Sequence, residues 1–223
     1  MKKIEAIIFD MDGTLYSFDE ENESQFTSSR FGKEIRANCI RFFKERFSLT
    51  SDDAEDMYQD LSRRYNGEVS LAVEKEFGID RSEYFVFTWN LEAEEFIDTN
   101  ELLLPTLQEL TIRSGVLTAA PRVWAEKALA FLQIRTLFGD ALFTGDPNIR
   151  KPDPEAFQQL ARFWKLKPSQ ILAIGDQEQT DILPAKSLGM HTLRIATQAE
   201  TEADYMAPDI ITAIALLKEK GII

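Results

Sequence analysis

Ile4-Glu5-Ala6-Ile7-Ile8-Phe9-Asp10-Met11-Asp12-Gly13-Thr14-Leu15 is the stretch on which the reading of this chain turns. Residues 4–9 have the length and apolar character of a buried strand, and Gly13 breaks that pattern. Side chains alternate along a strand, so Asp10 and Asp12 point the same way. Two carboxylates then meet at the tip of a buried strand, which is costly unless a cation lies between them. A hard divalent cation such as Mg²⁺, which prefers oxygen ligands, would offset that cost. Such a site is suited to handling phosphate.

The rest of the composition narrows the setting. A chain of 223 residues, 44% hydrophobic and 28% charged, is long enough for one large domain or for a core with a substantial insertion. At this size folding buries roughly 70% of the unfolded surface, so disulfides are not needed for stability. The single cysteine, Cys39, cannot form an internal disulfide and suits a reducing compartment. No apolar run approaches the ~18 residues of a membrane span, and a strand starting at Ile4 leaves no room for a signal peptide. The expectation is a cytoplasmic protein. The formal net charge of −13, from 38 acidic and 25 basic residues, argues against a nucleic acid polymer or an anionic membrane as partner. A small anionic substrate would need local cations. With one histidine, His191, there is no His cluster for zinc and no basis for His-driven nucleophile activation. His191 reads as the structural or exposed first residue of a strand, His191-Thr192-Leu193-Arg194-Ile195.

Two regions differ in periodicity. Between residues 19 and 100, Phe31, Ile35 and Phe42, then Met57, Leu61 and Tyr65, fall at helical spacing. Ser51-Asp52-Asp53 predicts a helix start, Asn66-Gly67 a stop and Gly78-Ile79-Asp80 a break. Most of the aromatic residues lie between Tyr16 and Phe96, which predicts a small helical unit with an aromatic interior. From about Leu104 strands and helices alternate. Gly115-Val116-Leu117-Thr118, Ala141-Leu142-Phe143-Thr144 and Ile171-Leu172-Ala173-Ile174 read as strands. A helix begins near Pro121. Another carries Phe157, Leu160, Ala161 and Trp164 on one face, with Asp153 as N-cap and Pro154 at its first position. A short helix stops at Gly189, and a last one over residues 213–220 is closed by Gly221. This alternation predicts an α/β fold with a Rossmann-like parallel sheet. The helical region is an insertion after the first strand, giving a core of residues 1–16 and 101–223 around an inserted unit of residues 17–100.

Ligands of open parallel sheets bind beyond the carboxyl ends of the strands. Four polar signals fall there: Asp10 with Asp12, Thr118, Lys151, and Asp176 followed by Asp181. Singly, each has an ordinary reading: Thr118 as a helix cap, Lys151 as a solvated lysine, Asp176 and Asp181 as loop and N-cap residues. At one edge of one sheet they mark a site.

Asp10-Met11-Asp12-Gly13-Thr14-Leu15, Thr118, Lys151-Pro152-Asp153-Pro154 and Gly175-Asp176…Asp181 resemble the four ordered motifs of the haloacid dehalogenase (HAD) superfamily, across the whole chain. The insertion resembles that superfamily's α-helical cap domain. An EF-hand reading of the start fails, because Gly13 lies three residues after Asp10 and not five. The resemblance implies phosphate-ester chemistry, since phosphatases and phosphomutases of the superfamily carry Asp at the position of Asp12, where dehalogenases do not.

The mechanism this implies has Asp10 as nucleophile, a carboxylate already ionised at neutral pH with an unperturbed pKa of ~3.9. Mg²⁺ would be bound by Asp10, the Asp12 main-chain carbonyl and Asp176, with Asp181 supporting it from behind. Asp12 would protonate the leaving alkoxide, then deprotonate the attacking water. Thr118 and nearby backbone N–H groups would hold phosphate oxygens, Lys151 would place its charge on the phosphate and Asp10, and Gly13 would allow close backbone approach. The chain departs from the superfamily at Ala119, where Asn is common, and at Gln177 and Glu178, where small residues are usual.

In the superfamily the cap chooses the substrate. Tyr65-Asn66-Gly67, Gly78-Ile79-Asp80 and Glu83-Tyr84 resemble the cap of the pyrimidine 5′-nucleotidase-like subgroup, which points to a nucleoside 5′-monophosphate; small sugar or glycolate phosphates are comparable candidates. Arg63, Arg64, Lys75 and Arg122 are candidate substrate cations, against a plainer reading as solvated helix faces. The expectation is a phosphatase, monomeric or dimeric, acting on a small phosphorylated metabolite. The alternatives are a sugar phosphomutase with the same nucleophile and a non-catalytic binding protein on the same scaffold.

Overall fold

The computed structural model describes residues 3–18 and 29–223. The chain divides into two compact units, residues 1–18 with 97–223, and residues 19–96.

In the first unit β1 (Ala6–Phe9) is buried along its whole length, as a central strand covered on both faces must be. It pairs in parallel with β2 (Arg113–Leu117) on one side and β4 (Ile171–Gly175) on the other, Phe9 lying opposite Val116 and Ile174. With β3 (Leu142–Phe143), β5 (His191–Ile195) and β6 (Tyr205–Ala207), the order is β3-β2-β1-β4-β5-β6, parallel throughout. From β1 the chain builds outward through β2 and β3, then returns to the other flank for β4, β5 and β6. The reversal lies between β1 and β4, and a doubly wound sheet opens a crevice at that point beyond its carboxyl ends. Asp10 N–H donates to Ile174 O at 2.8 Å, so the ladder runs up to the first aspartate.

Helix α5 (Leu103–Gln108) precedes β2, and α6 (Arg122–Phe131) follows it. Helix α7 (Pro154–Trp164) lays Phe157, Leu160 and Ala161 on Ala6, Ile8, Leu117 and Ala173 of the sheet. Its start matches the expected cap: Asp153 Oδ1 accepts Glu155 N–H at 2.9 Å and Pro154 takes the first position. At Gly115 a Cβ would sit 2.8 Å from the Trp164 ring and 2.9 Å from Ala141 O, so only glycine lets α7 and the neighbouring strand approach this closely. Helices α8 (Leu183–Ser187) and α9 (Ile210–Glu219) complete the unit.

The elements differ from the sequence expectation mainly at their ends. β1 starts two residues later than Ile4, and the strand expected over residues 141–144 keeps two paired residues. Helix α9 starts earlier than Ala213, because Asp209 caps it by accepting Thr212 N–H at 2.8 Å. β6 has no counterpart in the sequence reading: three residues on a sheet edge leave no periodicity to detect.

The second unit contains, among the described residues, α1 (Arg30–Phe47), α2 (Ser51–Arg64), α3 (Val69–Phe77) and α4 (Arg81–Thr88). Thr50 caps α2, Gly78 ends α3 in the left-handed region at φ 65°, and Asp80 caps α4. The interior is aromatic. Phe42 meets Tyr84 edge-on at 5.0 Å, and Phe31 meets Phe96 at 5.3 Å. Cys39 is buried here, and burial pushes its thiol up to about 12. Arg63 and Arg64 pair with Asp60, and Arg64 also with Glu76, on exposed surface. No helix among the described residues is long and apolar enough to cross a membrane.

Candidate active site

Asp10, Asp12, Thr118, Lys151, Asp176 and Asp181 all lie in the first unit, in the segments that follow the strands. Lys151 Nζ is buried and donates to Asp10 Oδ1 and to Asp181 Oδ1, both at 2.6 Å. Asp10 Oδ2 accepts Thr14 Oγ1–H at 3.1 Å. Asp181 Oδ2 accepts the backbone N–H of Gln177 at 2.9 Å, and Asp181 itself lies in a turn of π-helix over Glu178–Ile182. Carboxylate oxygens of Asp10, Asp176 and Asp181 lie within 4.8 Å of one another.

Two glycines make that convergence possible. Gly13 sits at φ 82°, and a Cβ there would lie 2.7 Å from Asp176 Oδ2. A Cβ on Gly175 would lie 2.4 Å from Asp181. A side chain at either position would push a carboxylate out of the group.

The electrostatics show what the group lacks. If all three carboxylates are ionised, three negative charges face one ammonium. Burial raises the Asp10 carboxyl well above its usual range; Lys151 opposes the shift, and the charges of Asp181, Asp176 and Asp12 add to it. Burial, followed by the charge of Asp181, pushes Asp176 up to about 6. At Lys151 burial works to lower the pKa, but Asp10 and Asp181 outweigh it and hold the ammonium firmly charged. Asp176 Oδ1 is buried without a hydrogen-bond partner, a state that costs on the order of 1–3 kcal/mol or more for a charged group. A bare oxygen within a surplus of carboxylates fits a hard divalent cation.

Asp12 stands apart from this group. Its Oδ1 accepts Trp124 Nε1–H at 3.0 Å and the phenolic proton of Tyr16, and its Oδ2 accepts Thr118 Oγ1–H at 3.2 Å. Burial raises its pKa against these three donors. Burial and then the charge of Asp12 hold the Tyr16 phenol well above its usual range. Thr118 Oγ1 in turn accepts Ala120 N–H at 3.0 Å.

Four contributors, Tyr16, Trp124, Glu178 and Arg194, lie beyond the site residues expected from the sequence. Tyr16 and Trp124 contact Asp12 directly. Glu178, noted only as an unusual residue, accepts Arg194 Nη1–H at 3.0 Å, Thr201 Oγ1–H at 2.6 Å and Glu202 N–H at 2.8 Å, while Arg194 Nε donates to the Asp176 carbonyl at 3.1 Å. Arg194 and Glu178 therefore brace the segment carrying Asp176. The Trp124 indole N–H, once buried, needs an acceptor, and Asp12 provides one. Among the candidate cations Arg122 pairs with Glu126, and its backbone N–H donates to Asp146.

A doubly wound sheet with acidic residues and a buried lysine at its switch point defines a class, and residues 4–189 match the haloacid dehalogenase-like hydrolase family; the chain belongs to that family. It is similar to a glyceraldehyde 3-phosphate phosphatase of Methanopyrus kandleri, 26% identical over 86% of this chain and 84% of the relative. It is also similar to the validoxylamine A 7′-phosphate phosphatase of Streptomyces hygroscopicus subsp. limoneus, 29% identical over 91% and 92%. Among solved structures, a HAD phosphatase from Thermococcus onnurineus shares the fold with a TM-score of 0.66 at 21% identity, covering 98% of each chain.

Proposed function

We propose that this protein is a Mg²⁺-dependent phosphatase that hydrolyses a small phosphate monoester through a phosphorylated Asp10. The observation that carries the reading is the buried Lys151 bridging Asp10 and Asp181, with the unpartnered Asp176 oxygen in the same carboxylate group. The phosphatase names of the two curated relatives support it.

Asp10 attacks phosphorus with one carboxylate oxygen. The Asp10–phosphorus bond forms as the bond to the leaving oxygen breaks, and Asp12 gives its proton to that oxygen. Water then attacks the phosphorus, Asp12 takes a proton from it, and the bond to Asp10 breaks to release phosphate. Lys151 and Thr14 hold the Asp10 oxygens in place for attack. Thr118 holds a phosphate oxygen. The raised pKa of Asp12 suits a group that must carry a proton near neutral pH. Asp10, Asp176 and the Asp12 carbonyl, with Asp181 behind them, would hold Mg²⁺, which would supply positive charge to offset repulsion between carboxylate and phosphate.

Released phosphate from p-nitrophenyl phosphate, measured with Mg²⁺ and with EDTA, tests the reading. Activity should require the metal and vanish in Asp10→Asn. Retained turnover in that variant rejects Asp10 as nucleophile. A panel of nucleoside 5′-monophosphates, triose phosphates and sugar phosphates then identifies the substrate. The nucleoside monophosphates test the likeness of Tyr65-Asn66-Gly67 to the nucleotidase cap, and the triose phosphates test the likeness to the Methanopyrus phosphatase.

A further inference from the structure

We propose that Tyr16 and Trp124 are positioning residues for Asp12, fixing its Oδ1 so that Oδ2 is the atom that delivers the proton to the leaving group. This rests on the reading of Asp12 as the acid of a phosphatase.

The argument starts in the chain. After Gly13 the backbone folds back on itself: Gly13 N–H donates to Tyr16 O at 3.0 Å and Leu15 N–H to Met11 O at 3.0 Å. That turn brings Tyr16 beside Asp12. Trp124 arrives from another element, the first turn of α6, and is fully buried. Tyr16 is buried as well, its ring edge-on to Phe18 at 5.5 Å.

The polar tips of the two rings meet at the carboxylate. Trp124 Nε1 lies 3.0 Å from Asp12 Oδ1 and 3.0 Å from Tyr16 Oη. The indole N–H therefore occupies a lone pair of the phenol, and the phenolic proton is turned onto Asp12 Oδ1. A proton on Oδ1 would face two donors and deprive the phenol of its acceptor. Among the described residues a proton on Oδ2 meets only the Thr118 hydroxyl, which can rotate to accept it or to donate elsewhere. The acid is thus held in one orientation, with its proton on one oxygen. Proton transfer depends steeply on such placement.

An acid matters in proportion to how badly the leaving group needs a proton. Benzyl phosphate expels an alkoxide, and p-nitrophenyl phosphate expels a stabilised phenolate from a ring of similar shape. We would measure kcat/KM for both esters in wild type, Asp12→Asn, Tyr16→Phe, Trp124→Phe and the double variant. This ratio reports steps up to alcohol release, so the later role of Asp12 as a base drops out. Asp12→Asn should lose roughly 10²–10⁴-fold on benzyl phosphate and at least about tenfold less on the nitrophenyl ester. Tyr16→Phe and Trp124→Phe should show the same skew at smaller size, about tenfold on benzyl phosphate and within about twofold on the nitrophenyl ester.

Equal losses on both esters in the two ring variants, or no loss, overturn the proposal while a skewed Asp12→Asn leaves the phosphatase reading standing. An unskewed Asp12→Asn, or a wild type without turnover, overturns the reading of Asp12 and the proposal together. Near-UV circular dichroism checks folding, and if one ring variant does not fold, the other decides.

Discussion

Replacing Asp176 with Asn should make the metal-free protein more stable. Burial and the neighbouring Asp181 push the Asp176 carboxyl up to about 6 from 3.8. In the unfolded chain it titrates near ~3.9. A carboxyl whose folded pKa is raised binds its proton more tightly when folded, so its contribution is fully present below about pH 3.9 and is lost as pH rises through about 6. Above both limits, at pH 8, the ionised Asp176 costs about 3 kcal/mol, from roughly two pH units at ~1.4 kcal/mol each, and at pH 5, between them, about half that. Asn removes the charge and keeps the shape. For a chain of this size ~1 kcal/mol moves Tm by about 2–4 °C, so the variant should melt about 6–12 °C higher at pH 8 in EDTA, with the gap halved at pH 5. The assay is thermal melting by circular dichroism, following the transition that Mg²⁺ shifts. Mg²⁺ should raise the wild-type Tm, because it binds the folded state alone, and leave the variant nearly unmoved. Coincident melting of wild type and variant at pH 8 in EDTA would refute the claim that Asp176 is an unpaid buried charge. A gap that does not narrow toward pH 5 would refute its assignment to titration of that carboxyl.

Lys151→Met should leave Asp10 and Asp181 buried without their cation, costing about 3–5 kcal/mol in a urea titration at pH 7 in EDTA, and should abolish phosphate release. Gly175→Ala places a Cβ 2.4 Å from Asp181; Mg²⁺ affinity, read as the midpoint of the Mg²⁺-induced rise in Tm, should weaken by at least about tenfold. Cys39, buried with its thiol pushed up to about 12, should be unreactive to a disulfide reagent in the native protein and react on unfolding, followed by thiolate absorbance.

The acidic and lysine residues were legible because each ends or follows a strand whose apolar run stands out in the sequence. Asp10 follows a fully buried strand, as does Asp176, and the parallel sheet places both tips side by side. The two ring donors on Asp12 were hidden for opposite reasons. Tyr16 is close in sequence, but its approach depends on a tight turn at Gly13 that periodicity does not encode. Trp124 is 112 positions away on α6, and only the folded chain brings its indole beside Asp12. Glu178 was visible as an irregularity, yet its partners Arg194 and Thr201 come from β5 and the segment after it, which only the folded sheet brings near. β6 escaped because an edge strand of three residues rests on backbone pairing with β5 more than on its own side chains.

The contacts that define the site span long stretches of chain: Lys151 lies 141 positions from Asp10, and Thr118 lies 106 from Asp12. Such non-local pairs form late, after the loops between them have been closed. On the ribosome Asp10 and Asp12 emerge early, but Asp176, their partner in the carboxylate group, comes out only after most of the sheet has been made. The first aspartates therefore spend much of synthesis as ordinary solvated carboxylates. If the proposed metal site forms when β4 docks beside β1, a series of C-terminally shortened nascent chains should acquire Mg²⁺-dependent protease resistance abruptly, once Asp181 has emerged.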